Sequence, residues 1–328
     1  MKTCDRLNYR GILALLRLFL AGSEGVGFAQ SYESVSLLPA RDNTLYESAD
    51  GSLSNAFGDF VFVGKTNQGV GQQLRRAVMA FDFSEIPDGV EVVSAELRLY
   101  MDQTIAGDVP IYLYALLADW GEGAADGSGV GGEGAGVNAL AGDATWIHRA
   151  YATAFWDTAG GDFESCASAG TVVGSGRGYY SWRGPGMVED VRRWIANPGR
   201  DFGWLLKADE SLPAPTAKRF VSKDSIFDFL RLPELIVTYQ TDGSSVLPPA
   251  VVGGGTVAGA DYSVTVEEAE AGCLYFMEGS DDMECWLPVL TANGVAGPSG
   301  GGSLVLTATG EAVMRKRFYR VRPMVLVP

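Results

Sequence analysis

The feature that most limits what this chain can fold into is a series of short apolar runs separated by turn residues. In segment 75–87, alternate side chains of an extended strand point to opposite faces, and one face is apolar until a Pro-Asp-Gly turn ends the run. That face is formed by Ala77, Met79, Phe81 and Phe83. Similar runs recur about every ten residues, which is typical of β-sandwiches and jelly rolls. The chain is therefore predicted to be all-β.

The pattern also predicts the individual elements of a jelly-roll-like β-sandwich. Its strands are predicted at 61–63, 76–83, 91–101, 109–117, 178–182, 203–207, 218–222 and 235–239. One short capping helix is predicted over 186–196, because Met187, Val191 and Trp194 recur at spacings of three and four before an Asn-Pro-Gly sequence. Four charged residues of this helix are expected to face solvent: Glu189, Asp190, Arg192 and Arg193.

The chain divides into four predicted parts. Residues 1–29 resemble a cleaved secretory signal, since basic residues precede a mostly apolar stretch that ends in small residues. Arg17 interrupts that stretch, so a short amphipathic anchor is the alternative. Residues 30–241 form the sandwich, residues 242–255 are a linker rich in Gly, Ser and Pro, and residues 256–328 form a small second β-domain. A signal predicts a protein that is secreted or held at the cell surface.

Charge and hydropathy exclude two classes of partner. The chain carries 25 Lys and Arg against 40 Asp and Glu, a net charge of −15, which argues against nucleic acid as a ligand. No stretch beyond the signal reaches the roughly 18 to 20 apolar residues that a membrane-spanning helix needs. We therefore expect neither a nucleic-acid partner nor a membrane span.

Three cysteines remain once the signal is removed. An odd number leaves at least one of Cys166, Cys273 and Cys285 unpaired. Cys273 and Cys285 are closest in sequence and could pair across a hairpin, an alternative that the sequence leaves open. No spacing of Cys and His residues indicates a zinc site.

Segment 121–142 has an unusual composition, with nine Gly among its 22 residues. It offers few side chains for a core, so it is predicted to be a long, flexible surface loop. Its acidic residues suggest a calcium-binding repeat as the alternative, but the regular period of such repeats is absent.

Several motifs, taken in their order along the chain, resemble the DNRLRE family of carbohydrate-binding modules. They are residue 156 and the segments 42–47, 54–55, 75–87, 118–122, 142–146, 160–163, 202–208, 217–222 and 233–239. The likeness spans residues 31–239, about two thirds of the chain. It implies a jelly-roll-like sandwich on a secreted or surface protein that binds polysaccharide, in some members acidic polysaccharide.

The end of the chain resembles a different kind of module. Segments 275–280 and 317–321, together with Trp286, are similar to a small β-module found at the ends of secreted proteins of environmental bacteria. The likeness implies no activity. It leads us to expect a partner in the cell envelope or matrix for the second domain.

One region has the side chains that sugar recognition requires, namely aromatic faces for C–H surfaces and planar polar groups for hydroxyls or carboxylates. The predicted ligand-binding residues are Trp120, Trp146, His148, Arg149, Tyr151 and Trp156. The alternative is that the tryptophans are core residues that cap the sandwich. Exposure of these aromatics would favour glycan binding, and burial of all of them would favour a structural role.

His148 is the only histidine of the chain, and it raises the alternative of a polysaccharide lyase. In such an enzyme Arg149 would neutralise a uronate while Tyr151 or His148 moves the proton. Along a strand, however, His148 and Arg149 point to opposite faces. We therefore predict a non-catalytic protein.

A structural Ca²⁺ is a further expectation, since jelly-roll modules often hold one where the first and last strands meet. Asp42 and Glu47 near the start, with Asp224 after the penultimate strand, could supply the oxygen ligands. The alternative is that Asp42 caps a turn and Glu47 is simply exposed. A bound ion would stabilise the fold and take no part in chemistry.

These observations predict a secreted, non-catalytic protein whose sandwich binds polysaccharide. A structural surface or matrix spacer without glycan binding is the first alternative, and a lyase is the second.

Overall fold

The computed structural model describes residues 31–129, 133–226, 228–241, 250, 252–253, 255–309 and 318–326. The predicted signal at 1–29 and most of the predicted linker at 242–255 lie outside the described residues. The fold is all-β with one α-helix in the described chain, as predicted.

The first part of the chain contains fifteen strands and the helix. The strands are β1 (Tyr32–Leu37), β2 (Pro39–Tyr46), β3 (Leu53–Ser54), β4 (Phe60–Lys65), β5 (Leu74–Phe81), β6 (Glu91–Thr104), β7 (Val109–Ala115), β8 (Val137–Asn138), β9 (His148–Ala150), β10 (Ala154–Phe155), β11 (Ala169–Val173), β12 (Gly178–Arg183), β13 (Trp204–Ala208), β14 (Lys218–Val221) and β15 (Glu234–Gln240). The helix α1 spans Pro185–Ala196, and 3₁₀ turns occupy Glu133–Ala135 and Pro198–Arg200. Each of the eight predicted strands coincides with one of these.

Eleven of these strands form one antiparallel sheet that curls into two facing layers, while β3 pairs with β8 and β9 pairs with β10 in two small separate sheets. One layer contains β1, β15, β6, β12, β14 and β4, and the other contains β2, β5, β13, β7 and β11. Strand β4 joins them, because it pairs with β14 in the first layer and with β5 in the second. The space between the layers holds the main apolar core, to which Leu97, Leu99, Met79 and Trp204 contribute.

Strand β5 confirms the predicted alternation and shows why both of its faces are apolar. Ala77, Met79 and Phe81 point into the main core. Val78 and Ala80 point the other way, into a second apolar cluster on the outer side of the sheet. The strand is buried on both faces because loops after β7 fold back over it.

The helix lies where it was predicted, but one of its charged residues faces inward. Asp190 is 6% exposed and accepts hydrogen bonds from Ser168 Oγ and from Trp204 Nε1 at 2.8 Å. The prediction that Asp190 faces solvent is therefore wrong. Burial raises the pKa of its carboxyl above the usual range, although both hydrogen bonds act in the opposite direction.

The glycine-rich segment packs against the sandwich over its described part. Glu133 is 8% exposed and accepts from Asn55 Nδ2 at 2.8 Å, and Tyr46 Oη donates to the Glu133 carbonyl. Gly136 has φ +74°, and a Cβ there would lie 3.1 Å from the Tyr46 ring. The prediction of a surface loop is wrong at these positions, because glycine permits close approach of the backbone to the sandwich.

The last part of the chain forms a smaller pair of sheets, called here the C-terminal unit. Its strands are β16 (Thr256–Ala258), β17 (Asp261–Ala269), β18 (Cys273–Ser280), β19 (Leu287–Pro288), β20 (Val295–Ala296), β21 (Gly302–Ala308) and β22 (Phe318–Val325), with a 3₁₀ turn at Leu290–Ala292. Strands β16, β17 and β21 form one sheet, and β18 to β20 and β22 form the other.

The C-terminal unit contacts the sandwich beside α1. Leu274, Phe276 and Met324 belong to the same apolar cluster as the sandwich interior. An ion pair joins Arg322 to Glu189 of the helix.

A disulfide between Cys166 and Cys285 links the same two parts covalently, and Cys273 is buried and free. Cys273 and Cys285 cannot pair, because β18 separates them by an extended strand that rises roughly 3.3 Å per residue.

Candidate functional site

The three tryptophans that were predicted to contact a ligand are core residues. Trp120, Trp146 and Trp156 are 2%, 9% and 5% exposed. The indole N–H of Trp120 donates to the Phe202 carbonyl at 2.9 Å, and that of Trp156 donates to the Thr145 carbonyl at 3.0 Å. The indole N–H groups of Trp120 and Trp156 are therefore satisfied inside the protein, and all three rings fill the cluster over the outer side of β5.

The other predicted residues of this region lie on the hairpin β9–β10. His148 is buried, and its Nδ1 lies 3.0 Å from Thr145 Oγ1. The Tyr151 ring meets the His148 ring edge to face at 5.1 Å. Phe155, which was not predicted, also packs against His148, with 4.6 Å between the ring centroids, and is 64% exposed. The exposed aromatic surface of this region is thus Phe155 and part of Tyr151.

The arrangement brings together only two of the three groups that a lyase would need. His148 and Tyr151 are in contact, but the Arg149 guanidinium donates to the Asp119 carbonyl at 3.1 Å. The absence of catalysis stays a prediction.

Two of the three predicted metal ligands lie together, and a different residue completes the group. Oxygen atoms of Asp42, Glu122 and Asp224 all lie within 4.8 Å of one another. Glu47 is not part of this group, because its carboxylate accepts from the backbone N–H groups of Gln73 and Leu74 at 2.7 and 2.9 Å. Glu122 follows Trp120 in a loop, so no local pattern in the sequence linked it to Asp42.

Lys223 already neutralises much of this acidic group. Its ammonium lies 2.9 Å from Glu122 Oε1 and 2.8 Å from Asp224 Oδ2. Burial alone would lower the pKa of Lys223, but these two contacts outweigh it and raise that pKa. Asp42 accepts from the Lys223 backbone N–H at 2.8 Å, and burial raises the pKa of Asp42 to about 7. As arranged, the group fits a Ca²⁺ ion poorly, because the ion would have to displace the Lys223 ammonium. Calcium binding stays a prediction.

A second surface, which sequence reasoning missed, lies on the outer side of β6 and β12. Inward residues of β6 such as Leu97 and Leu99 alternate with outward Glu96, Arg98 and Tyr100. Strand β12 pairs with β6 so that Tyr179 lies opposite Tyr100. We call this surface the arginine–tyrosine face, formed by Arg98, Tyr100, Arg177, Tyr179, Arg183, Arg219 and Arg231.

Aromatic contacts hold the tyrosines of this face in place. The rings of Tyr100 and Tyr179 meet edge to face at 5.2 Å, and the Arg231 guanidinium lies 4.3 Å above the Tyr100 ring. Tyr179 is 53% exposed. The Arg177 side chain is 67% exposed and lies 3.8 Å from Asp102.

Carboxylates fix the arginines without neutralising all of them. Glu96 binds both Arg98, at 2.9 Å, and Arg183, at 2.7 Å. Burial would raise the pKa of Glu96, but hydrogen bonds from the two guanidiniums outweigh it and hold that pKa below its usual range. Across the face, five guanidiniums meet four carboxylates: Glu96, Asp102, Asp228 and Glu234. These ion pairs thus contain one more guanidinium than carboxylate, on a chain whose net charge is −15.

The C-terminal unit has a cavity of about 600 Å³. Its lining includes Glu267, Glu268 and Glu270, together with the thiol of Cys273. The Cys273 thiol has a raised pKa because it is buried and near Glu270, so it stays protonated at neutral pH.

Comparison with known proteins assigns no function to these surfaces. No family model matches the chain, and no curated protein matches it significantly. The resemblance to DNRLRE modules therefore stays a prediction. Among the described residues, the structure contains no helix with the length and apolar character needed to cross a bilayer.

Proposed function

We propose that this protein is a non-catalytic polysaccharide-binding protein that acts outside the cytoplasm, and that its ligand is an acidic polysaccharide held on the arginine–tyrosine face. The observation that carries the proposal is the pairing of exposed Tyr179 with Tyr100 among five guanidiniums. Tyrosine rings pack against the C–H surfaces of sugars, and a guanidinium binds a carboxylate through two parallel hydrogen bonds.

The orientation of the face supports this role. Cross-strand partners fix Tyr100, Tyr179 and Arg98 on a rigid sheet, so little side-chain entropy is lost when a ligand binds. The outward residues of β6 from Glu96 to Asp102 span roughly 20 Å, which suits an extended polymer. Arg177 has the most exposed side chain among the arginines of the face. Its guanidinium lies 3.8 Å from the Asp102 carboxylate, a contact weak enough to leave it able to pair with a ligand.

The disulfide supports the extracytoplasmic part of the proposal. Disulfides persist in secreted and surface proteins, whereas cytosolic thiols are kept reduced. The bond between Cys166 and Cys285 therefore suits a protein that is exported. Export by the segment 1–29 is part of the same proposal.

A second candidate function is a structural spacer at the cell surface. It is favoured by the burial of Trp120, Trp146 and Trp156, which leaves the originally predicted region with little aromatic surface. It is also favoured by the covalent link to the C-terminal unit, which suits a load-bearing protein. In that case the arginine–tyrosine face would bind no glycan.

Affinity electrophoresis of the mature chain tests the proposal. Gels would contain polygalacturonate, alginate, heparin or a neutral glucan, each with calcium and then with a chelator. We expect retardation by at least one acidic polymer, and weaker retardation of Tyr179→Ala and Arg177→Gln. Matched controls are Tyr151→Ala and Arg149→Gln, which alter the originally predicted region and should migrate like the unmodified protein. Normal migration of the folded protein in every gel would favour the spacer.

A further inference from the structure

Among the described residues of the loop after β14, three large apolar side chains face solvent, and we call them the apolar tip. Ile226, Phe229 and Leu230 are 73%, 68% and 79% exposed. Single exposed apolar residues are common, but several together on one short loop are typical of a surface that another molecule covers.

The apolar tip adjoins the arginine–tyrosine face. Tyr179 Oη donates to the Leu230 carbonyl at 3.2 Å, and the neighbouring Arg231 lies over Tyr100. At the start of the loop the Ile226 N–H donates to Asp59 Oδ1 at 3.0 Å. Hydrogen bonds thus hold the loop at two points, and a polymer on the face would meet the tip.

The composition of the tip restricts the ligand more closely than the face does. A phenylalanine ring can pack against a bare sugar, but the branched side chains of Ile226 and Leu230 offer no flat surface for this. Their burial is favourable only against apolar atoms. A ligand that covers both surfaces must therefore carry apolar groups beside its negative charges.

We infer that the preferred ligand is a polyuronate bearing apolar ester substituents, of which O-acetyl groups are the simplest. The carboxylates would pair with the guanidiniums, and the acetyl methyl groups would lie against the apolar tip. This inference rests on the proposed function and adds a substituent preference to it. A methyl-esterified uronate fits less well, because esterification removes the carboxylate that the arginines recognise.

The test compares one polymer in two forms, an O-acetylated polyuronate and the product of its mild alkaline deacetylation. Binding of the mature chain to each form would be measured by titration calorimetry at equal uronate concentration. We expect the acetylated form to bind about tenfold more tightly. The variant Ile226→Ser/Phe229→Ser/Leu230→Ser should bind both forms equally, with the affinity of the unmodified protein for the deacetylated form.

A matched control keeps the test specific. Leu38, Leu117 and Leu140 are about half exposed and belong to other parts of the surface. The variant Leu38→Ser/Leu117→Ser/Leu140→Ser should therefore retain the preference for the acetylated polymer.

Several results would overturn the inference. Equal binding of both polymers by the unmodified protein would do so, as would a preference that survives in the tip variant. Dimerisation that depends on the tip without glycan, or co-sedimentation with phosphatidylglycerol vesicles in place of an acetyl preference, would assign the tip to another partner. Failure to bind either polymer would instead remove the proposed function itself.

Discussion

Two regions of this molecule combine aromatic rings with arginines, but the rings are buried in one region and partly exposed in the other. Around residues 120–156 the rings are tryptophans that loops fold over the outer side of β5, where they become a second core. On β6 and β12 the rings are tyrosines on the outward side of paired strands, where Tyr179 stays exposed. The comparison teaches that an aromatic cluster in a sequence indicates a binding surface only when the strand register directs it outward.

In both regions an arginine guanidinium lies over an aromatic ring. The Arg76 guanidinium lies 4.8 Å over the Trp146 ring, but it also donates to Glu210 and to the Gly160 carbonyl and is buried. The Arg231 guanidinium lies 4.3 Å over Tyr100 with its side chain 46% exposed. The first contact closes a core, and the second leaves a guanidinium within reach of a ligand.

The largest expected effect separates the two surfaces by stability. Trp120→Ala should lower the free energy of unfolding by about 3 to 5 kcal/mol, because it empties a well-packed site. Tyr179→Ala should lower it by less than about 1 kcal/mol, since half of that ring is already in water. Urea unfolding followed by fluorescence measures both. A loss for Tyr179→Ala as large as that for Trp120→Ala would show that the tyrosine is a core residue.

Removal of the disulfide tests how much the covalent link between the C-terminal unit and the sandwich contributes to stability. Cys166→Ala/Cys285→Ala should lower the free energy of unfolding by about 2 to 4 kcal/mol, since the bond closes a loop of more than a hundred residues. Cys273→Ala leaves the bond intact and is the control. An unchanged denaturation midpoint without the disulfide would mean that the apolar contacts alone hold the unit.

A smaller effect concerns Asp42 in β2, whose carboxylate accepts hydrogen bonds from Ser222 Oγ and from the Lys223 backbone N–H. Its pKa is raised to about 7 in the folded protein by burial, so the folded state binds the proton more tightly than the unfolded state does. This contribution to stability is complete below about pH 4 and is lost as the pH rises through 7. We expect Asp42→Asn to flatten the decline in melting temperature between pH 5 and pH 8 relative to the unmodified protein. Parallel curves for the two proteins would show that Asp42 titrates normally.

The smallest expected effect sharpens the assignment of the exposed face. Arg177→Gln should weaken binding to an acidic polymer by about threefold, because one exposed charge contact contributes less than about 1 kcal/mol. The effect should diminish in high salt, which screens the contact. Arg149→Gln, measured under the same conditions, should change nothing. Equal losses for the two variants would remove the distinction between the surfaces.

The sequence predicts the fold well because alternation is local. The faces of β5, the helix α1 and the strands β6 and β15 all follow from residues that are neighbours along the chain. The predicted site failed for a different reason, since burial of Trp120, Trp146 and Trp156 depends on loops that fold over β5. When aromatic rings lie in a loop, the neighbouring residues do not show whether the rings will cover a sheet or line a binding surface.

The residues that sequence reasoning missed are brought together from distant parts of the chain. Tyr100 and Tyr179 meet only because β12 pairs with β6, and Glu122 meets Asp42 only because the loop after β7 packs against β2. The prediction for the glycine-rich segment was wrong for a related reason. Segment 121–142 was predicted to be a flexible surface loop because it is rich in glycine, whereas the missing side chain of Gly136 allows the backbone to approach the Tyr46 ring. The alternation of outward Arg98 and Tyr100 along β6 was the one signal that could have revealed the face.

The most direct test of the proposed binding face is a hydrogen-exchange footprint of the protein with and without an acidic oligosaccharide. Binding at the arginine–tyrosine face predicts slower exchange in β6, in β12 and in the loop after β14, and unchanged exchange in the hairpin β9–β10. Protection confined to the hairpin around His148, Tyr151 and Phe155 would contradict it and return the binding site to the region that the sequence first indicated.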